Sequence, residues 1–222
     1  QALIGDGGGN LSYSNSSALD FTFNSVTVGK GNNSVAGNTV LGESALDAAV
    51  TGGNNTAIGA NALTALTSGA FNVGVGADCL KSNTTGTDNV AIGGKTLDAN
   101  SSGSSNTAIG RSALGANTTA SNNTAIGANT LKVNTTGTNN TAMGSGSLDA
   151  NTTASNNTAV GGGTLGSNTA GESNCAFGEG ALNQNTTANN NTAVGRSALL
   201  TNTTGEQNVA VGALALDANI TA

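Results

Sequence analysis

The sequence predicts an all-β fold, a β-solenoid (β-roll) of eleven 17-residue coils. Three observations predict it. A pentapeptide built on Asn-Thr-Ala-Ile-Gly returns every 17 residues with no insertion or deletion. Two apolar columns keep the same phase. No proline occurs among the 222 residues.

The repeat is counted from its glycine: Gly42, Gly59, Gly76, Gly93, Gly110, Gly127, Gly144, Gly161, Gly178, Gly195 and Gly212. Every copy has Asn four residues before the glycine (−4) and Leu four residues after it (+4). Position −1 always holds a large apolar residue. Stacked β-coils sit about 4.8 Å apart in register, so one extra residue would break every ladder it enters. Helical hairpin repeats need about 33 residues and tolerate drifting loops. Within the pentapeptide, Thr and Ile alternate with Ala, the period of a strand. The Ala-Leu segment near +4 is predicted as a second short strand, and the Asn, Gly and Ser clusters as turns. Lack of proline suits a chain whose N–H groups donate to neighbouring coils.

The residues at −1 and the Leu at +4 are expected to point inward as two apolar ladders: Ile58, Leu63, Ile92, Leu97, Ile109, Leu114, Ile126, Leu131, Leu148 and Leu165. The asparagines at −4 are expected to stack as a polar ladder: Asn55, Asn72, Asn89, Asn106, Asn123, Asn140, Asn157, Asn174, Asn191 and Asn208. The alternative makes them left-handed corner residues bonding their own backbone. A second Asn column, at +7, runs from Asn83 to Asn219. The reference glycines read as corners needing positive φ or close backbone approach. Position +10 alternates late in the chain (Gly137, Ala154, Gly171, Ala188, Gly205, Ala222), so that corner does not demand positive φ. The alternation also hints at a 34-residue double repeat.

Two large apolar side chains per coil are thin support against a backbone cost of about 1–2 kcal/mol per residue. The Ala column at −2 offers a further surface, read as a flat outward stripe of the kind that marks an interface. The expectation is therefore a parallel homotrimer, with Ala108, Ala125, Ala142, Ala159, Phe21 and Phe23 at its contacts. The other reading buries the Ala stripe inside a flattened single-chain coil. Residues 1–37 lack the strict repeat and precede the solenoid of residues 38–222. They hold Tyr13, Phe21 and Phe23, and Val26–Gly29 looks like a degenerate first coil. This segment reads as an N-terminal cap over an open sheet edge, or as a docking segment for another subunit. No cap follows Asn219-Ile220-Thr221-Ala222, so a continuation is expected there, such as an end-to-end polymer contact or a removed domain.

Composition excludes several chemistries. There is no His, hence no imidazole base and no histidine metal site. Two Cys cannot make a four-thiolate zinc site. Cys79 and Cys175 lie in coils too distant for a disulfide and read as fillers of the Ala and Thr columns. Asp47, Asp98, Asp149 and Asp217 share one column but stand three or four coils apart, so no carboxylate pair forms. Six Lys+Arg within a net charge of −6 argue against nucleic acid, and no apolar run is long enough to insert in a membrane. No catalytic, cofactor-binding or metal-binding residue is predicted, and no cofactor.

Over Asn38 to Ala222, the tandem pattern N-T-A-[IV]-G-x-x-A-L-x-x-N-T-T-G resembles repeats of phage and bacterial tail-fibre-domain proteins. Its Ala-Ile-Gly strand is similar to the head repeats of trimeric autotransporter adhesins, whose coils are shorter. The resemblance implies a trimeric left-handed β-roll in an extracellular fibre or adhesin without enzymatic activity in the repeats. Related tail-fibre proteins often end in a self-cleaving chaperone domain, which this sequence does not contain. The expected function is a non-enzymatic structural or adhesive fibre at a cell surface or on a virion: a tail-fibre shaft, an adhesin stalk or a filament subunit. Only Phe71 and Phe177 offer aromatic platforms in the repeats, so a cell-surface receptor would be met by other parts of the fibre. The alternative is a surface-binding module that uses the Thr and Asn columns to bind ice or polysaccharide.

Overall fold

A computed structural model describes residues 25–221, together with the backbone of Ile4–Gly5, Leu11–Ser12 and Phe21–Phe23. Each coil contributes one short strand, formed by the alternating residues before the reference glycine. These are β5 (Thr39–Gly42), β6 (Thr56–Ile58), β7 (Val73–Val75), β8 (Val90–Ile92), β9 (Thr107–Ile109), β10 (Thr124–Ile126), β11 (Thr141–Met143), β12 (Thr158–Val160), β13 (Cys175–Phe177), β14 (Thr192–Val194) and β15 (Val209–Val211). They form one parallel sheet in strict register. Thr124 pairs with Thr141, Ala125 with Ala142 and Ile126 with Met143, each 17 residues on. The protein is thus an all-β solenoid of 17-residue coils.

The sheet continues past its first coil by two strands running the other way, β4 (Val26–Gly29) and β3 (Phe21–Phe23). Val26–Gly29 is therefore not a degenerate coil. Val28 pairs with Leu41 in antiparallel sense. The link from Gly29 to Thr39 is short of the dozen or more residues a parallel crossover requires, and it turns back at Gly31 and Gly37, both at φ 80°. Two further strands, β1 (Ile4–Gly5) and β2 (Leu11–Ser12), pair with each other as a separate antiparallel sheet. The side chains of Phe21 and Phe23, with Tyr13 and Ala222, lie outside the described residues.

The Ala-Leu segment is not a second strand. It is a turn in which the Leu itself is left-handed, with φ between 49° and 54° in all eleven coils. That conformation costs a β-carbon residue about 1–2 kcal/mol. Burial offsets it: Leu46 through Leu199, ten successive copies, are fully buried. The turn is still tied to its neighbours. Leu131 donates its N–H to the Ser147 carbonyl (3.1 Å), and Asn129 donates backward to the Arg111 carbonyl (3.0 Å). Register is therefore held around the whole coil and not only at the strand, which accounts for the unbroken 17-residue period. The reference glycines from Gly59 to Gly212 take φ of 123–135°. A β-carbon on Gly110 would lie 2.6 Å from the Gly127 carbonyl carbon.

The inward face of the strand is the reverse of the first expectation and agrees with the other reading, in which the Ala stripe is buried inside the single-chain coil. Ala108, Ala125, Ala142 and Ala159 are fully buried in the lumen and cannot form an interface between rods. Ile58, Ile109 and Ile126 are half-buried and face outward, and Ile92 is 40% exposed. The reason is volume. A 17-residue coil encloses only a narrow lumen, and Leu reaching from the opposite wall fills it. The strand across from Leu brings a methyl group in nine coils, with Gly74 and Val40 as the two exceptions, so the strand's alternation sends Thr and Ile to solvent. The coil of Gly76 shows how tight the fit is. There Cys79 stands where six other coils have Ala, Gly74 stands where nine have Ala, and a β-carbon on Gly74 would lie 3.0 Å from Cys79 Sγ.

Candidate functional site

Inside the coil the polar groups are consumed by architecture. The backbone N–H of Asn123 donates to Oδ1 of Asn106 (3.0 Å), and its own Nδ2 donates to the Gly137 carbonyl (2.9 Å). The second Asn column converges on that same oxygen: Asn134 Nδ2 donates to it at 3.0 Å. Ala120, Ala154 and Gly171 each accept two amides in this way. The carbonyl at +10 points into the lumen, and two asparagines per coil satisfy it. This explains why Asn recurs at both −4 and +7. The −4 residues are stacked ladder residues, and the left-handed corner belongs to their predecessors, such as Ser105, Asn122 and Asn139. Near the first coils, buried Leu66 stands where later coils have the +7 Asn. No buried side-chain polar atom lacks a partner among the described residues. Asn72 through Asn191 are buried, so these columns offer no surface to ice or polysaccharide.

Outside the coil there are three surfaces. The first carries the threonines at +8. Their hydroxyls climb the rod, Thr118 Oγ1 donating to the Thr135 carbonyl (3.3 Å) and Thr135 Oγ1 to that of Thr152 (3.0 Å). Their donors are spent on the neighbouring coil. The second is a shallow groove at the Leu turn, lined by Lys95, Asp98, Ser112, Lys132 and Val133. Burial pushes the Asp98 carboxyl above the ordinary aspartate range. One step below, Asn61 Nδ2 donates to Asp78 (3.0 Å) and Lys81 pairs with it (3.2 Å), which lowers the Asp78 carboxyl. These groups mix both signs along one edge, with Lys81 and Asp78 joined as an ion pair.

The third surface is the outward face of the sheet, with two parallel columns. One runs Thr107, Thr124, Thr141, Thr158 with Val73, Val90 and Cys175 in the same file. The other runs Leu41, Ile58, Val75, Ile92, Ile109, Ile126, Met143, Val160, Phe177, Val194 and Val211. Met143 and Phe177 are 42% and 41% exposed. No charged residue occurs in either column in any coil. Among the described residues, the hydroxyls of Thr107, Thr124, Thr141 and Thr158 have no protein partner. Sequence reasoning placed this face inside the coil. The signal for the correct assignment was size: position −2 is Ala in nine copies, whereas −1 ranges from Val to Phe. A filled lumen does not tolerate that range.

The chemistry available is slight. Cys79 is buried, and burial pushes its thiol up to about 12, so it stays protonated and unreactive at neutral pH. Cys175 is a free thiol in the outward Thr column. Among the described residues no group of three or more Cys, Asp or Glu could hold a metal ion, and no helix is long and apolar enough to cross a membrane. No family model, curated protein or solved structure matches the chain.

Proposed function

We propose that this chain is a passive structural or adhesive segment of an extracellular fibre, carried at a cell surface or on a virion. It performs no catalysis. It takes no cofactor and binds neither nucleic acid nor membrane, and it meets other copies of itself along its length. The observation that carries this reading is the saturation of the lumen: each coil from Gly76 onward spends its Leu, two Asn and turn amides on its own lumen and the neighbouring coils. What remains is a rod about 48 Å long over ten intervals at strand spacing, with a filled interior and no chamber for a reaction.

Two measurements on the chain and its source test the reading together. Small-angle scattering should give a rod of that length with a cross-section constant along it. Antibody against the repeats should label intact cells or particles, and external protease should remove the label. A spherical envelope, or label reached only after lysis, would overturn the reading.

A further inference from the structure

We propose that the outward Thr and Ile face is the surface on which two copies of this chain pair, rod against rod and antiparallel. The proposal deepens the fibre reading by naming its partner as a second copy.

The face is uncharged and continuous. Its two columns stand two residues apart on the strand, about 6.6 Å, and run for about 48 Å. With side-chain breadth on either side, this strip covers about 600 Å², hence about 1,200 Å² over two copies, the lower limit of a stable specific interface. Elsewhere on the rod, charges stand at the Leu turn (Lys81, Lys95, Asp98, Lys132) and at +1 (Arg111, Glu179, Arg196), and none on this strip. Each rod carries one such face. One such face per copy closes as a two-fold pair. A trimer about a central axis would ask each rod for two.

The side chains select the orientation. A two-fold axis along the rods would set the Ile column of one copy on the Thr column of the other and bury unpaired hydroxyls against methyl groups, which is costly. An axis across the rods, through the coil of Thr124 and Ile126, sets like on like. Thr124 then faces Thr124, Thr107 faces Thr141 and Thr56 faces Thr192, so hydroxyls meet hydroxyls at these positions, while Thr158 faces Val90 and Thr39 faces Val209. Val73 faces Cys175. In the other column Phe177 faces Val75, Val160 faces Ile92, Val194 faces Ile58 and Val211 faces Leu41, a larger residue on a smaller one, while Met143 faces Ile109 and Ile126 faces its own copy. The protruding Phe177 meets the recess over Val75, and two sheets can pack at an even spacing of about 10 Å. The same relief disfavours a rigid planar ligand such as ice, since Met143 and Phe177 stand above their Val neighbours.

The test is sedimentation equilibrium of the intact chain at about 0.1 mM, a concentration that populates a micromolar complex. Twice the chain mass is expected. Ile109→Lys and Ile126→Lys should return the monomer with an unchanged circular dichroism spectrum, because both side chains are already outward. Thr119→Lys, exposed beside the Thr ladder, should leave the pair intact. In a Cys175→Thr background, spin labels at Ala128→Cys should lie close across the pair, and labels at Arg196→Cys about 38 Å apart along the rod, eight strand spacings. Equal short distances at both sites would overturn the antiparallel arrangement. A monomeric wild type would overturn the pairing, and thermal hysteresis from that monomer would assign the face to ice. Pairing is read in solution and the fibre reading by surface label, so either can fail alone.

Discussion

At the scale of the residue, the fold places β-carbons only where the backbone leaves room. Gly110 and Gly146 make the contrast. Both have positive φ, 123° and 65°. A β-carbon on Gly110 would press on the Gly127 backbone, whereas one on Gly146 meets nothing within 4 Å. Gly110→Ala should therefore cost about 2–5 kcal/mol from strain and overlap. Gly146→Asn, matching Asn61 and Asn129 in the same column, should stay within about 0.5 kcal/mol. Urea titration reads both. Cys79 supplies a pH test. Its folded pKa, about 12, lies above the ordinary value of 9.0. The resulting stability is fully present below pH 9.0 and is lost as pH rises toward about 12, at up to about 1.4 kcal/mol per pH unit. The advantage of wild type over Cys79→Ala should shrink as pH rises from 9.0 toward about 12. An unchanged gap would mean that the thiol is not desolvated.

At the scale of the element, each coil is a unit whose parts are all register-bound. Strand, Leu turn and Asn corner each donate to an adjacent coil, so slack has nowhere to go. Inserting one residue between Thr136 and Gly137 should break the two amide bonds to the Gly137 carbonyl and misplace the ladder above it. Duplicating a full 17-residue coil should leave stability unchanged or raised, since it repeats an interface already made. Comparing the denaturation midpoints of the two insertions decides the matter. If the one-residue insertion is as well tolerated as the duplication, the turns do not carry register.

At the scale of the whole molecule, stability accumulates along one axis. The coils show what a neighbour contributes. Leu199, with another coil stacked on it, is fully buried, while Leu216 in the last described coil is 53% exposed. At the other end, β4 runs antiparallel to β5 and covers its edge with backbone partners. The charge of −6 lies outside the Thr and Ile strip. A rod that is charged at its corners and apolar along one face can pair through that face and remain soluble elsewhere.

Period, class and most of the interior were legible in the residues themselves. Zero slippage over eleven copies leaves no architecture but a stacked one, and fully placed Leu and Asn columns imply ladders. What the tertiary structure alone decided was which side of the strand is inside. Alternation separates Ala from Thr and Ile but is symmetric between the two faces, and hydrophobicity alone favours Ile for the core. The choice rests on the width of the lumen, set by left-handed Leu turns that no local propensity announces. Since Leu already occupies that space, Ala must face it, and the larger side chains are left for whatever meets the rod from outside.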